Sequence, residues 1–169
     1  MSKESVSILM GSDSDLEVMQ ECADVLKDFG IEFNMQVLSA HRTPELVAQF
    51  AATAAKEGCK VIIAGAGGAA HLAGAIAANT TLPVIGVPLA ATALNGMDAL
   101  LATVQMPAGV PVATVAVGKP GARNAALLAV QILSLLDKEL AAKLEKYKST
   151  MTEKCQEKNK KLQEKLKKS

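Results

Sequence analysis

Short apolar runs alternate with amphipathic stretches along most of this chain. Runs such as Ser5–Met10 and Lys60–Ala64 are apolar almost throughout, which is typical of strands buried on both faces of a parallel sheet. The stretches between the runs repeat apolar residues at the three- and four-residue spacing of helices. The pattern predicts five strands, at residues 5–10, 33–37, 60–64, 83–87 and 110–117. It predicts helices over residues 16–29, from 44 to just before 58, after the run 65–74, and over 98–105 and 124–136.

This alternation predicts an α/β fold of three layers (αβα): a flavodoxin-like, doubly wound parallel sheet of five strands in the order 2-1-3-4-5, followed by a C-terminal helical extension. Thr43 is expected as the N-cap of the second helix, with Pro44 in its first position. Ligands of such folds bind outside the carboxyl ends of the strands. Functional residues are therefore expected in the loops at 11–15, 39–44, 65–72 and 88–96.

Composition excludes several classes of function. Of the 169 residues 50% are hydrophobic but only 2% are aromatic, so the chain lacks the stacking platforms of single-strand nucleic-acid binders. The 18 basic and 17 acidic residues give no overall charge that would attract nucleic acid or a membrane. The N-terminal apolar run is too short for a signal peptide, and three cysteines without CxxC spacing indicate reduced thiols. We therefore expect a cytoplasmic protein with no nucleic-acid or membrane partner.

Charge is distributed unevenly along the chain. Residues 1–136 carry a net charge of −4 and residues 137–169 a net charge of +5. The basic segment repeats apolar residues at helical spacing, at Leu140, Leu144, Tyr147, Met151, Cys155, Leu162 and Leu166. We predict a single α/β catalytic domain at 1–136 and a basic amphipathic helical extension at 137–169 that packs on a neighbour.

Each loop after a strand has a functional and a structural interpretation. The turn Ser12–Asp15 could hold a phosphate or ribose, or could only cap a helix. His41 could exchange a proton near neutral pH and Arg42 could hold an anion, or both could be structural. The loop GAGGAAHL lets a ligand approach main-chain amides, or only allows tight packing. Residues 88–96 are apolar enough to exclude water, and Lys119 is either an anion contact or solvated.

Other chemistries fit these residues less well. A phospho-receiver domain would use Asp13, Asp15, Thr92 and Lys119, but its acceptor aspartate should end the third strand, where this chain has Ala64-Gly65. His41 and His71 are too far apart for a metal-binding motif, and no acidic cluster joins them, so no metal is expected. Acid–base chemistry by histidine on a small anionic substrate remains, with a non-catalytic nucleotide-binding module as the alternative.

The motifs GSDSD, SAHRTP and GAGGAAHL, together with residues 86–133, resemble the N5-carboxyaminoimidazole ribonucleotide mutase family, the bacterial-type phosphoribosylaminoimidazole carboxylase catalytic subunits. The resemblance runs from about Val6 to Leu136. It implies an isomerase of purine biosynthesis that moves a carboxylate from the exocyclic nitrogen to a ring carbon of aminoimidazole ribonucleotide. It also implies a homo-octamer, a nucleotide substrate and no cofactor.

The resemblance further implies residue roles. His41 would be the general acid–base group, and Arg42 would bind the phosphate. The remaining contacts to the substrate would come from Ser12, Asp15, Ser39, Ala40, Gly67, Gly68, Ala69, His71 and Leu72. Two positions depart from the family's usual residues, Ala73 in place of proline and Arg123 in place of a small residue. A related carboxylase that uses CO2 directly is the alternative, although AHRTP and His71 favour the mutase.

Overall fold

The computed structural model describes residues 5–167 and has an α/β architecture. The strands are β1 (Val6–Met10), β2 (Phe33–Val37), β3 (Val61–Gly67), β4 (Val84–Leu89) and β5 (Ala113–Thr114). The helices are α1 (Leu16–Phe29), α2 (Pro44–Glu57), α3 (Leu72–Ala77), α4 (Met97–Val104), α5 (Lys119–Ser134) and α6 (Lys138–Leu166). A single 3-10 turn, Asp13–Asp15, precedes α1.

The five strands form one parallel sheet in the order β2-β1-β3-β4-β5, which confirms the predicted topology. Successive side chains of a strand point to opposite faces, and β3 shows this directly. Ile62 and Ala64 belong to an apolar cluster formed with α2 and α3. A side chain at Gly65 would instead meet Met19 of α1, on the other face. Helices therefore cover both faces of the sheet, as the fully apolar strands predicted.

Helix boundaries followed the sequence signals at most positions. α1 ends at Phe29, and Gly30 takes a left-handed φ of 74° there, which only glycine adopts without strain. α2 begins at Pro44, as predicted. α5, however, begins at Lys119, five residues before the predicted start at 124. The early start places Gly121 against the Ala116 carbonyl, where any side chain would clash.

β4 ends at Leu89, two residues later than predicted, and two other strand predictions were wrong by three or more residues. β3 continues through Gly65–Gly67, which we predicted as loop, because all three residues pair with β4. β5 contains only two residues, where the sequence predicted eight. Pro111 interrupts that apolar run, and a proline cannot donate a hydrogen bond to a neighbouring strand. Apolar character alone therefore overestimated the strand at the sheet's edge.

The chain divides into two compact units between Ile132 and Leu133. The first contains the sheet, and the second contains the long helix α6, whose first turn is capped by Asp137 through a 3.0 Å hydrogen bond from the Leu140 N–H. The predicted helical extension is thus present. Within residues 5–167, no helix combines the length and apolar character that crossing a bilayer requires. The predicted boundary at 136 stays a prediction, and the parts of both predicted segments at 1–4 and 168–169 lie outside the described residues.

Candidate active site

A cavity of about 500 Å³ opens at the carboxyl ends of β1, β2 and β3. This volume lies in the range of about 300–1,000 Å³ that is usual for small-molecule sites. All four of the loops in which we expected functional residues contribute to its wall. The lining residues are Gly11, Ser12, Ser14, Asp15, Ser39, Ala40, His41, Arg42, Ala66, Gly67, Ala69, His71, Leu72 and Ala91.

The chain's two histidines meet in this cavity. His41 follows β2 and His71 follows β3, and the Nε2 of His41 lies 2.8 Å from the Nδ1 of His71. The rings meet edge to face, with centroids 4.9 Å apart and an angle of 72° between their planes. At this distance one nitrogen donates a proton and the other accepts it. The fold therefore holds two proton-exchanging groups in direct contact at one end of the cavity.

Arg42 joins the loops that follow β1 and β2. Its Nη2 donates a hydrogen bond to the carbonyl of Gly11 at 2.5 Å. The positive charge also acts on the nearby Asp15 carboxyl. Partial burial raises the pKa of Asp15 above its ordinary value, while the hydrogen bond from the Ser12 N–H and the charge of Arg42 oppose that rise. A cation and a partly desolvated carboxyl thus share this wall of the cavity.

The turn after β1 is held by its own side chains. The backbone N–H of Ser12 donates to Asp15 Oδ2 at 3.1 Å, and the hydroxyl of Ser12 accepts the N–H of Ser14 at 3.4 Å. This reciprocal arrangement caps the 3-10 turn. The turn is therefore capped by Ser12 together with Asp15, whereas α1 itself receives no side-chain capping hydrogen bond from Asp15. Ser12, Ser14 and Asp15 nevertheless also line the cavity, so capping does not remove them from the site.

The loop after β3 approaches the loop after β4 closely. A Cβ placed on Gly67 would lie 2.5 Å from the Cβ of Ala91, so only glycine fits at position 67. Gly68 follows with a left-handed φ of 59°. Of the residues predicted for the site, Gly68 is the one that does not line the cavity. The left-handed backbone of Gly68 turns the chain, and Ala69 and His71 after it line the cavity.

Thr92 and Lys119, which would act in a phospho-receiver site, bind acidic side chains outside the cavity. The hydroxyl of Thr92 donates to Asp98 Oδ2 at 2.6 Å, and this bond is the main cause that lowers the pKa of Asp98. Lys119 pairs with Glu17 at 2.7 Å, which raises the pKa of the lysine and lowers that of the glutamate. Neither Thr92 nor Lys119 lines the cavity. The fourth loop contributes only the methyl group of Ala91.

Sequence reasoning missed four lining residues. Gly11 and Ser14 lie in a loop that we singled out; Gly11 has no side chain to mark it, and only Ser12 and Asp15 of the turn 12–15 were predicted as substrate contacts. Ala66 and Ala91 are apolar and small, and no sequence pattern separates a wall residue of this kind from a packing residue. The three-dimensional proximity of Gly67 and Ala91 is what brings the fourth loop to the cavity.

Comparison with known proteins identifies the family to which the chain belongs. The model of the family described as AIR carboxylase matches residues 5–154. The chain belongs to this family. An N5-carboxyaminoimidazole ribonucleotide mutase from Pyrococcus abyssi is 60% identical over 146 residues, which cover 86% of this chain and 83% of the relative. A protein of the same name from Bacillus subtilis is 59% identical over 140 residues, covering 83% of this chain and 86% of the relative.

A solved structure agrees with the family assignment. The crystal structure of Treponema denticola PurE superposes with a TM-score of 0.82 at 34% identity, and the match covers 93% of this chain and 97% of that one. The two residues that we expected to differ from the family's usual ones, Ala73 and Arg123, do not line the cavity. Ala73 is buried against the sheet, and Arg123 pairs with Glu21 at 2.9 Å on the surface of α1 and α5.

Proposed function

We propose that this member of the AIR carboxylase family is an N5-carboxyaminoimidazole ribonucleotide mutase of purine biosynthesis, and that His41 is its acid–base group. The high identity to relatives of that name supports the reaction. The single observation that carries the residue assignment is the cavity where His41 meets His71 beside Arg42. A histidine exchanges protons near neutral pH, and a guanidinium binds phosphate through parallel hydrogen bonds.

In the proposed complex, the phosphate and the carboxylate of the nucleotide lie at opposite walls of the cavity. Arg42 binds the phosphate, because it is the cation among the lining residues, and Ser12 and Asp15 bind the ribose-phosphate part beside it. Ser39 and Ala40 line the same part. The carboxylate that moves lies at the other wall, against Gly67, Ala69, His71 and Leu72. The main-chain amides of this glycine-rich wall can approach the carboxylate closely because few side chains intervene.

The reaction then needs one proton shuttle. The bond between the exocyclic nitrogen and the carboxylate breaks, CO2 leaves, and its bonding electron pair stays on the nitrogen, which takes a proton from His41. The ring carbon next attacks the retained CO2 to form the new carbon–carbon bond. His41 removes the proton from that carbon and returns to its starting state. One histidine serves both transfers, so the cycle consumes no proton and needs no ATP, biotin or metal.

Retention of CO2 depends on the apolar part of the wall. Ala66, Gly67, Leu72 and Ala91 line part of the cavity without a polar side chain, so this part of the wall binds water less well than the polar wall does. Holding CO2 next to the ring carbon makes its recapture effectively unimolecular. The small residues of the third and fourth loops therefore contribute by enclosing the CO2, and not by bonding to it.

We also propose that the protein is cytoplasmic, as its cysteines and N-terminal sequence indicate, and that it is a homo-octamer, as the family resemblance implies. Supporting this, α4 exposes three large apolar side chains, with 56% of Met97, 50% of Leu101 and 48% of Val104 accessible in the single chain. Contiguous apolar surface of this kind is typical of contacts between subunits. Sedimentation equilibrium should give eight times the chain mass of 17.5 kDa, and a monomer would contradict the proposal.

The experiment that tests the reaction is a paired product assay by mass spectrometry. One sample contains the N5-carboxylated nucleotide, and the other contains aminoimidazole ribonucleotide with bicarbonate at a physiological concentration. Rapid carbon-carboxylated product in the first sample alone supports the mutase. Product in the second alone would indicate a direct carboxylase, and no product in either would leave a nucleotide-binding module.

His41→Asn tests the role of the histidine. The variant should fold and still bind the nucleotide, but its turnover should fall by roughly three or more orders of magnitude, because we assign both proton transfers to His41 and place His71 at the carboxylate. Isothermal titration with the product nucleotide provides the binding control. A variant that keeps a tenth of the wild-type rate would remove His41 from this role.

A further inference from the structure

The hydroxyl of Thr43 serves the loop that precedes it. Thr43 occupies the N-cap position of α2, yet its side chain makes no capping hydrogen bond to that helix, which corrects the capping role expected from the sequence. Its Oγ1 instead accepts the backbone N–H of Ser39 at 3.0 Å and donates to the carbonyl of Ser39 at 3.0 Å. The backbone N–H of Thr43 donates to the same carbonyl at 2.8 Å. Three hydrogen bonds therefore close the loop between residues 39 and 43.

The closed loop has His41 and Arg42 at its tip. Both residues are exposed, so packing does not hold their side chains. The backbone N–H of Arg42 donates to the hydroxyl of Ser39 at 3.2 Å, so the tip of the loop is also bonded to Ser39. The distance between the histidine rings and the bond from Arg42 to the Gly11 carbonyl both depend on where this backbone lies.

The Thr43 hydroxyl bonds Ser39 instead of capping α2, so the helix loses the stabilisation that an N-cap side chain usually provides. An N-cap hydroxyl ordinarily stabilises its own helix by accepting an N–H from the first turn. Here that contribution is given up, and the hydroxyl is directed towards the segment that carries the acid–base group. Thr43 is itself half-buried and is not among the residues that line the cavity, so we infer that its effect on the chemistry passes through the loop.

We propose that Thr43 is a positioning residue, which holds His41 and Arg42 in their working geometry by closing the loop through Ser39. This inference rests on the proposed function, because it takes His41 as the acid–base group. In this proposal Thr43 makes no contact with the reacting atoms. Its hydroxyl, and not its methyl group, is the part of the side chain that affects the reaction.

The test compares Thr43→Val with Thr43→Ser. Valine keeps the shape and removes both hydroxyl bonds, so kcat should fall by roughly 10- to 100-fold, as displacements of about 1 Å do at catalytic groups. Serine keeps the hydroxyl and should restore kcat to within about threefold of wild type. Thr53→Val is the matched control, because Thr53 lies in α2 and its hydroxyl bonds the Phe50 carbonyl, away from the cavity. Its kcat should equal that of wild type.

A second measurement does not depend on activity. The chain has two histidines, so nitrogen NMR of histidine-labelled protein shows only the imidazoles of the site. Thr43→Val should change the ring nitrogen shifts of both, whereas Thr43→Ser and Thr53→Val should leave them as in wild type. A residue that only stabilises the fold would lower the melting temperature and leave these shifts unchanged in the folded protein.

The outcomes separate the two proposals. Wild-type kcat and wild-type imidazole shifts in Thr43→Val would overturn the positioning role, and so would a Thr43→Ser variant as impaired as the valine. If Thr43→Val does not fold, Thr43→Ala removes the same two bonds and is judged by the same criteria. If wild-type protein lacks mutase activity, the proposed function fails, and the NMR comparison alone decides the role of Thr43.

Discussion

The close approach of Gly67 to Ala91 makes a prediction about the cavity wall. In Gly67→Ala the new methyl carbon would lie 2.5 Å from the Cβ of Ala91 and 3.2 Å from the Leu89 carbonyl oxygen. Two methyl groups pack at about 3.5–4.0 Å, so one of the loops has to move by about 1 to 1.5 Å. The movement occurs where the third and fourth loops line the cavity.

Two magnitudes follow from that displacement. Overpacking of this size destabilises a protein by about 1–3 kcal/mol. For a chain of this length, that corresponds to a melting temperature lower by roughly 3 to 10 °C. A shift of about 1 Å in a site wall should also lower kcat/KM by roughly 10- to 100-fold, because the substrate no longer lies against the acid–base group in a reactive geometry.

The assay is a double-mutant cycle followed by calorimetry and by mutase kinetics. Ala91→Gly removes the obstructing methyl, and the nearest atoms that remain are the Leu89 carbonyl oxygen at 3.2 Å and the Ala91 Cα at 3.7 Å from the added carbon. The double variant should therefore recover most of the melting temperature and come within about threefold of the wild-type kcat/KM. Gly74→Ala is the control, since its new methyl meets only the flexible end of Met106, outside the cavity.

Two results would refute this reasoning. Gly67→Ala with wild-type stability and activity would mean that the two loops are not in tight contact. A double variant no better than the single one would mean that the Leu89 carbonyl, and not Ala91, is the obstacle.

Three further predictions concern the polar wall. Arg42→Ala should raise the Kd for the nucleotide roughly 10-fold or more while leaving folding intact, and an unchanged Kd by titration would argue against a phosphate contact. His71→Asn should raise KM more than it lowers kcat, because we place His71 at the carboxylate; a loss of turnover like that of His41→Asn would contradict this assignment. Asp15→Asn should gain stability relative to wild type as the pH rises. Burial raises the pKa of Asp15 in the folded state, so its contribution is fully present below about pH 4 and is lost as the pH rises through the folded-state pKa. Urea unfolding of both proteins at several pH values measures the difference, and a constant difference would show that Asp15 does not titrate this way.

Much of the fold could be predicted because local signals agreed with the tertiary structure. Gly30, Pro44 and Gly58 end or begin helices through backbone preferences that act within a few residues. β3 and β5 were misjudged because pairing with β4 decides their length. Residues 65–67 become strand because β4 lies beside them, while the run around Pro111 pairs with β4 only at residues 113 and 114.

The site was predictable where chemistry is carried by a rare side chain. His41, Arg42 and His71 stand out in loops that the fold brings to one edge of the sheet. The contact between the two imidazoles could not be predicted, because it depends on the separation of the ends of β2 and β3 and on ring orientation. Thr43 was interpreted as a helix cap because the sequence shows its position but not the direction of its hydroxyl.

The hydrogen bond from Arg42 to the Gly11 carbonyl has a consequence for affinity. An arginine side chain carries about 2 kcal/mol of rotamer entropy, which a ligand must otherwise remove when it binds. Here one of its five N–H donors already binds the Gly11 carbonyl in the folded chain, so part of that freedom is lost before any ligand binds. For the phosphate contact that we propose, Arg42 is therefore a partly preorganised anion receptor, and every ~1.4 kcal/mol of rotamer entropy already removed corresponds to about tenfold tighter binding.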